Sequence, residues 1–266
     1  MRVDLHNHTT LCNHAEGTME EYVKKAIEMK IDVFGFSEHA PMDFDPNYRM
    51  NLSLKDFYEN EVKNLKEKYK NDIEILLAYE VDFMQDRTLM LDEILNSDVD
   101  YLIGSVHFIQ EKNSDLWGFD NPEFIGKYKE KNIDDIWTDY FRAIEEMAKS
   151  GYFDIVGHLD LIKVFKYLPN KDIRLIAKDA LTAIKKSGMV LEINAAGLRK
   201  PITEPYPSKN LLELAYEMNI PITFSSDAHA VEQIGFKYEK VTQFAKKIGY
   251  SKCMTFNKRD KQLVSF

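Results

Sequence analysis

Histidine is the residue type of this chain whose positions most directly suggest chemistry. Each histidine lies at, or just beyond, the end of a short apolar run typical of a β-strand. Two carboxylates, Glu80 and Asp227, occupy the same kind of position. The seven histidines are His6, His8, His14, His39, His107, His158 and His229. Imidazole and carboxylate groups are ligands of zinc, iron and manganese, so the pattern predicts a metal site.

Two pairs of these groups have the spacing of ligands that share an ion. His6 and His8 are two residues apart, as are Asp227 and His229. Side chains two apart in a strand point to the same face, so both members can reach one ion. Taken alone, a His-x-His sequence is equally consistent with a polar strand end. The presence of His14 shortly afterwards favours the metal interpretation.

The other groups end single apolar runs. His39, Glu80, His107 and His158 each follow such a run directly. Each one alone would be an ordinary surface group, but no histidine of the chain is placed elsewhere. We therefore predict a multinuclear metal site, in which Gly157 lets the backbone approach the centre closely.

Nine candidate ligands are too many for one ion. A structural zinc takes about four ligands and a catalytic zinc about three plus water. Three divalent ions (zinc, iron or manganese) with one bridging carboxylate are the simplest arrangement. They bring about six positive charges against two from Glu80 and Asp227, and the surplus of about four attracts a phosphate dianion more than a neutral amide.

Strand and helix patterns alternate along the chain. Apolar runs predict strands at 3–8, 31–37, 73–79, 101–106, 154–157, 189–193 and 222–225, with a short one near 253–256. Helical patterns cover 18–30, 53–70, 89–96, 133–150, 173–186, 208–218 and 231–248. Thr18 and Glu21 form a capping-box sequence, and Gly151 and Gly188 predict helix ends. The segment 110–131 lacks a pattern and is predicted to form an active-site loop or lid.

This alternation predicts an α/β fold with parallel strands covered by helices. In a β/α barrel the functional groups lie on the loops after the strands, which is where the candidate ligands occur. A doubly wound open sheet is the alternative, but it concentrates its site at one switch point rather than at every strand.

Composition narrows the class of protein. At 266 residues the chain fits a single barrel, which we predict to occupy 1–266 as one domain. There is no apolar run long enough for a membrane span and no visible signal peptide, so no membrane partner is expected. A net charge of −9 argues against nucleic-acid binding. Two cysteines, Cys12 and Cys253, favour a reducing cytosolic location.

Seven short motifs together resemble the polymerase and histidinol phosphatase (PHP) superfamily. They are DLHNHT at 4–9, CNHA at 12–15, GSVH at 104–107, GHLD at 157–160, EIN at 192–194, GLRK at 197–200 and SDAH at 226–229. The stretches at 12–15 and 197–200 resemble the stand-alone histidinol-phosphate phosphatases of that superfamily in particular.

The resemblance implies a distorted (β/α)7 barrel with a trinuclear metal centre. Carried over position by position, the first ion would be held by His6, His8, Glu80 and Asp227. The second ion would be held by Glu80, His107 and His158, with Glu80 bridging. The third would be held by His14, His39 and His229.

The implied reaction is hydrolysis of L-histidinol phosphate, a small phosphorylated metabolite, in histidine biosynthesis. A hydroxide activated by the ions would be the nucleophile, and Glu80, His107 and Asp227 would be catalytic through those ions. Arg199 is the first candidate for binding the phosphate. Lys163 is the second, and it departs from the arginine that the resemblance implies at this position. Ser226 is a candidate substrate donor. Asp160 is a candidate for assisting the leaving alkoxide.

Three other functions stay open at this point. The same centre could hydrolyse another small phosphomonoester or a nucleotide. It could serve a 3′–5′ exonuclease, although no basic groove accompanies it. The chain could also be a non-catalytic metal-binding module, although no ligand has been lost. The metals bound in the cell and the oligomeric state cannot be read from the sequence.

Overall fold

The fold is built around short buried β-strands. A computed structural model describes residues 1–110 and 115–266. The strands in chain order are β1 (Val3–Asp4), β2 (Val33–His39), β3 (Glu74–Asp82), β4 (Tyr101–Ser105), β5 (Phe108–Gln110), β6 (Leu116–Gly118), β7 (Ile155–Val156), β8 (Val190–Asn194), β9 (Ile222–Ser225), β10 (Lys252–Asn257) and β11 (Asp260–Ser265).

Helices follow most of these strands and cover the outside of the sheet. They are α1 (Met19–Glu28), α2 (Lys55–Lys68), α3 (Asp92–Leu95), α4 (Ile133–Ser150), α5 (Ile173–Ile176), α6 (Lys178–Ser187), α7 (Lys209–Glu217) and α8 (Tyr238–Ile248). Short 3-10 helices occupy several loops after strands, including Thr10–Cys12, Leu161–Lys163 and Ala196–Arg199.

Within the described residues, seven strands form one parallel sheet in the order β1-β2-β3-β4-β7-β8-β9. The two outer strands meet, because Leu5 N donates to Phe224 O at 3.0 Å and His8 N donates to Ala228 O at 3.0 Å. The sheet is therefore a nearly closed seven-stranded barrel, and the predicted (β/α)7 architecture is confirmed.

Local sequence signals explain where the helices begin and end. Thr18 caps α1 by accepting from Glu21 N, and the Glu21 carboxylate accepts from Thr18 N, so the capping box is present. Gly151 and Gly188 end α4 and α6 with φ of 77° and 74°, a left-handed conformation that costs glycine little. Helix α4 buries an apolar stripe that includes Trp137 and Tyr140, and each such side chain contributes about 1.5–3 kcal/mol on burial.

Most predicted elements are present with shifted ends, and four differences from the sequence prediction are larger. The first strand pairs regularly only at Val3–Asp4, and beyond it Asn7 forms an isolated bridge with Ala228. The helix predicted at 173–186 is divided at Ala177 into α5 and α6. The helix predicted from 231 starts at Tyr238, after a separate 3-10 turn. The last predicted strand, β10, pairs with an unpredicted strand, β11.

The segment predicted as an irregular lid is partly regular. Its described part contains β6, which pairs antiparallel with β5 at the start of the segment, and a 3-10 helix at Pro122–Lys129. Residues 111–114 of that segment lie outside the described residues. Among the residues described, no helix is long and apolar enough to cross a membrane.

Candidate metal centre

The barrel brings all nine predicted ligands to the carboxyl end of its strands. Strand register explains two of them directly, because His39 of β2 pairs with Glu80 of β3. His6 and His8 leave β1, while His107 and His158 follow β4 and β7. Asp227 and His229 follow β9, and His14 lies in the loop after β1. These donors were therefore correctly predicted to come together, although whether each binds an ion stays a prediction.

Glu80 lies at the centre of the cluster, and its two carboxylate oxygens face different sets of histidines. Its Oε2 atom is 3.3 Å from His6 Nε2, 3.6 Å from His8 Nε2 and 3.0 Å from His39 Nδ1. The side chain is 1% exposed. A carboxylate in this position has the geometry of a bridge between two cations.

The second oxygen of Glu80 faces the other side. Oε1 is 3.0 Å from His158 Nε2 and 3.8 Å from His107 Nε2, and it accepts a hydrogen bond of 2.6 Å from Ser105 Oγ. A side chain at Gly157 would place its Cβ 2.2 Å from that same Ser105 hydroxyl. Glycine is thus required at 157 for a local reason, namely the close packing of β7 against the residue that orients Glu80.

The remaining donors surround His8. Asp227 Oδ1 is 3.3 Å from His8 Nε2, and the rings of His39 and His229 each stack 4.1 Å from the His8 ring. His14 lies at the rim, 4.7 Å from the His229 ring. Donor groups within 4.8 Å of one another are His6, His8 and Glu80; Glu80, His107 and His158; His8, His39 and His229; and Cys12, His14 and His229.

Cys12 belongs to the last of these groups, but its geometry favours another role. Its thiol donates to Thr9 O at 3.0 Å and the residue is fully buried. Burial raises the pKa of this thiol, with the Glu38 carboxylate as a further cause. A protonated thiol is a poor ligand, so Cys12 packs under the site as a small apolar residue.

Several polar atoms of the cluster are buried without a hydrogen-bond partner in the described part of the protein. Among the described residues, His6 Nε2, His8 Nε2, Glu80 Oε2 and His158 Nδ1 are buried without a hydrogen-bond partner. Buried polar atoms are almost always satisfied, and leaving one unsatisfied costs roughly 1–3 kcal/mol. Nitrogen and oxygen donor atoms that lie within 4.8 Å of one another match the ligand chemistry of divalent cations. The residues present therefore fit divalent metal ions.

The carboxylates and histidines of the cluster shift each other's pKa values. Burial raises the pKa of Glu80, but the charges of His6, His39 and His107 outweigh it and hold that pKa well below its usual range. Burial lowers the pKa of His39 to about 4 despite the nearby Glu80. Asp227 likewise has its pKa held well below the ordinary value by His6 and His8 against its burial. Burial also lowers the pKa of His6 and His107, but carboxylates outweigh it: Glu80 and Glu192 raise the pKa of His6 well above its usual range, and Asp82 and Glu80 raise that of His107 to about 10. Metal binding to these imidazoles would release their protons, because a histidine ligand is neutral.

Glu192 contacts two of the predicted ligands on the side away from the cavity, and the sequence prediction assigned it no role. Its Oε1 atom lies 2.7 Å from His6 Nδ1, and its Oε2 atom accepts from His158 N at 2.6 Å and from Asn194 Nδ2 at 3.1 Å. The residue is 1% exposed. A carboxylate on the far nitrogen of a ligating histidine fixes the ring orientation and raises its basicity.

Asp82 and Glu38 hold two other histidines in the same way. Asp82 Oδ1 contacts His107 Nδ1, and Arg49 Nη2 donates to Asp82 Oδ2 at 2.9 Å. Glu38 Oε1 lies 3.5 Å from His8 Nδ1. The sequence carries a signal for Asp82, because it lies two residues beyond Glu80 in the same strand and points to the same face. Glu38 offered no such signal.

Ser226 is placed behind the ligands rather than at the cavity. Its hydroxyl donates to Asp4 Oδ2 at 2.7 Å and lies 3.0 Å from Asn7 Oδ1. Asp4 also accepts from Gly235 N at 3.1 Å. Ser226 thereby ties β1 to the loop after β9. Its predicted contact with substrate stays a prediction that this position does not support.

Lys163 and Asp160 are also engaged elsewhere. Lys163 Nζ lies 3.1 Å from Asp160 Oδ2 and 2.9 Å from Pro205 O, and the residue is 1% exposed. Asp160 Oδ2 accepts from Ser208 N at 2.8 Å as well. The pair thus holds the loop before α7 against the loop after β7, and neither side chain lines the cavity. Their predicted roles in phosphate binding and proton donation remain untested.

Arg199 is the predicted substrate residue that does reach the cavity. Its Nη1 donates to Ser226 O and its Nη2 to Asp227 O, both at 2.9 Å. The guanidinium lies 5.1 Å from the centre of the Phe236 ring. These contacts hold a positive group beside the ligand Asp227.

A cavity of about 580 Å³ opens above the ligands. Seven of the nine ligands line it, whereas His6 and His8 are fully buried beneath. Its other lining residues include Arg199, Lys200 and Tyr206 on one part of the wall. A pocket of this size accepts a small metabolite.

Comparison with known proteins agrees with this description. A Deinococcus radiodurans protein named "Probable histidinol-phosphatase" is 35% identical over 262 residues, which cover 97% of this chain and 98% of that protein. The histidinol-phosphatase of Bacillus subtilis is 30% identical over 263 residues, 89% of this chain and 96% of that protein.

Two solved structures have the same fold. A Listeria monocytogenes protein provisionally described as a histidinol phosphatase superposes with a TM-score of 0.79 at 26% identity, covering 90% of this chain and 99% of that chain. The histidinol phosphate phosphatase of Lactococcus lactis, solved with zinc, L-histidinol and phosphate, also gives a TM-score of 0.79, at 22% identity, with 98% of each chain covered. The second likeness concerns the fold alone.

Two family models match successive parts of the sequence. The PHP domain model matches residues 4–196, which carry most of the ligands, and the PHP-associated model matches residues 210–249, which include Asp227 and His229. The chain therefore belongs to the PHP domain family.

Proposed function

We propose that this protein is a metal-dependent phosphatase that hydrolyses L-histidinol phosphate to L-histidinol and phosphate, a step of histidine biosynthesis. The observation that carries the proposal is the convergence of seven histidines on Glu80 and Asp227 beneath a cavity of about 580 Å³. Relatives named as histidinol-phosphatases, matched along nearly the whole chain, support this substrate over other phosphate esters.

Three divalent ions are the arrangement that the donors support best. We assign His6, His8, Glu80 and Asp227 to the first ion, Glu80, His107 and His158 to the second, and His14, His39 and His229 to the third. The close donor groups around the two oxygens of Glu80 support the first two sets. The third set is supported by ring distances of 5.2 Å for His14–His39 and 4.7 Å for His14–His229. Zinc, iron and manganese all suit these donors.

Bound cations would supply Lewis acidity and would lower the pKa of a water molecule toward ~7. The chain's own residues provide the framework for this chemistry. Glu192 and Asp82 fix the rings of His6 and His107 from behind. Arg199, held by two backbone carbonyls, presents positive charge at the cavity wall, where a phosphate oxygen would bind.

The decisive experiment measures phosphate release from L-histidinol phosphate and from a panel of other phosphomonoesters, with and without chelator. We expect a kcat/KM for L-histidinol phosphate at least about 100-fold above that for unrelated esters, because about 3 kcal/mol of selective contact produces that ratio. Metal analysis of the same sample counts the ions. Similar rates on all esters would contradict the substrate assignment, and activity unaffected by metal removal would contradict the metal-dependent chemistry.

A further inference from the structure

The cavity above the metal ligands has two regions of opposite charge. Arg199 and Lys200 line the region next to Asp227. Another region, around His107, is lined by three carboxylates and one guanidinium: Asp45, Asp82, Asp120 and Arg49. On the described part of this wall, the carboxylates outnumber the guanidinium. We call this group the acidic region of the cavity.

The single arginine of the acidic region is already engaged. Arg49 Nη2 donates to Asp82 Oδ2 at 2.9 Å, and it lies 3.8 Å from Asp45 Oδ2. Asp82 is further compensated by its contact with His107. Asp120 has no ion-pair partner among the residues that the structure describes. In the described part of the chain, it is the acid on this wall that forms no ion pair with a lysine or an arginine.

Asp120 is held in place by bonds of its neighbours. Phe119 N donates to His107 O at 3.3 Å, and the Phe119 ring packs 5.3 Å from Tyr140. On the other side, the Asn121 side chain accepts from Glu123 N at 2.9 Å and so caps the following 3-10 helix. Asp120 is half-buried between these anchors. These contacts hold the backbone on both sides of Asp120, whose side chain lines the cavity and interacts electrostatically with His107.

A second polar group on the cavity wall also lacks a partner. Tyr206 lines the cavity 6.3 Å from the His158 ring, and its hydroxyl has no hydrogen-bond partner in the described part of the chain. The residue is 1% exposed. The buried Tyr206 hydroxyl is therefore unsatisfied, although buried polar groups are normally paired, and the half-buried Asp120 carboxylate has no ion-pair partner in the described residues. One ligand that carries an anion and a cation would satisfy both.

We propose that Asp120, supported by Asp45, binds a cationic nitrogen group of the substrate while its phosphate lies at the metal ligands. The inference rests on the proposed phosphatase function and specifies the substrate class as phosphomonoesters of amino alcohols. Tyr206 would donate to an oxygen of the ester. Phe108, which packs 4.7 Å from Phe44 and lines the cavity, provides an apolar surface beside the acids.

The test compares Asp120→Asn with the wild type on two esters that differ only in the amine: L-histidinol phosphate and 3-(imidazol-4-yl)propyl phosphate. At pH 8 the imidazole is largely neutral, so the ammonium is the only cation. We expect kcat/KM for the amine ester to fall at least 10-fold and that for the amine-free ester to change less than 2-fold. Equal losses on both esters, or no loss on either, would overturn the proposal.

Two further variants separate recognition from folding. Asp56→Asn, on a side chain that is 91% exposed, is the matched control and should leave both esters unaffected. Asp120→Glu should restore part of the preference for the amine ester. Binding of L-histidinol to the metal-free protein, measured by calorimetry, should weaken at least 10-fold in Asp120→Asn; unchanged binding would overturn the proposal independently of turnover.

The same design distinguishes failure of the two proposals. Phosphoethanolamine and ethyl phosphate form a second matched pair without imidazole. If the wild type hydrolyses phosphoethanolamine as fast as L-histidinol phosphate, the histidinol assignment fails. The effect of Asp120→Asn on the ratio of amine to amine-free ester then still decides the role of Asp120.

Discussion

Replacing Glu192 with glutamine tests whether the layer behind the ligands sets metal affinity. The change keeps the shape of the side chain and removes its charge. In the wild type, Glu192 contacts His6 Nδ1 at 2.7 Å and accepts from His158 N at 2.6 Å. A glutamine amide has one acceptor oxygen, so one of these contacts would face an N–H donor instead.

The expected magnitude follows from that lost contact. A hydrogen bond to a charged group contributes about 1.5–3 kcal/mol. If this energy is lost from the metal-bound state, affinity for the weakest-bound ion falls roughly 10–100-fold. Burial raises the pKa of Glu192, but the charge and hydrogen bond of His6 together with the charge of His158 outweigh burial and lower that pKa, so the carboxylate is anionic in the wild type. The substitution therefore removes a real charge at neutral pH.

Metal affinity is measured by chelator competition, and metal content by mass spectrometry of the purified variant. Glu74→Gln is the matched control, since Glu74 lies at the exposed start of β3 and away from the site. Circular dichroism establishes that both variants fold. Wild-type metal content and affinity in Glu192→Gln would refute the reasoning that this carboxylate orients His6 and His158.

Three other changes have direct outcomes. His107→Ala should lower kcat more than about 100-fold with the fold intact. Losing a residue that binds the metal directly should cost more than the ~10–100-fold effect of losing a residue that only hydrogen-bonds to a metal ligand. Substantial residual turnover would show that His107 is not a metal ligand. Chelation should abolish activity and lower the melting temperature, both reversibly on adding zinc or manganese; an unchanged melting curve would contradict metal-linked stability. Burial raises the pKa of Cys253 to about 12 and also raises the pKa of Cys12. At pH 8 both thiols therefore stay protonated, and a disulfide reagent should label them only after denaturation. Rapid labelling of the native protein would contradict this.

Much of the fold and of the donor cluster was predictable from the sequence. The carboxyl ends of all strands in a parallel barrel lie at the same rim. Histidines and carboxylates that follow several strands are therefore expected to lie close together. His39 and Glu80 illustrate this, because each was identified only as ending an apolar run and the register places them side by side. The capping box at Thr18 was equally visible, since it depends on residues three apart.

What the sequence could not provide depends on contacts between distant segments. Glu192 and His6 are 186 positions apart, and no local pattern indicates that a buried acid in one strand faces a histidine in another. The same limit applies to Lys163 and Ser226, whose residue types suit phosphate. Their polar atoms are directed to Asp160 and Asp4 by packing that only the folded chain defines.

The barrel closes where its first and last strands meet, and few backbone bonds join them there. His8 on one side of this junction and Asp227 on the other lie 3.3 Å apart. A cation bound by both residues would link the first strand to the last across this junction. Metal shortage in the cell would then do more than stop catalysis. The first and last strands could separate at this junction, which would become the part of the barrel most susceptible to proteolysis and misfolding.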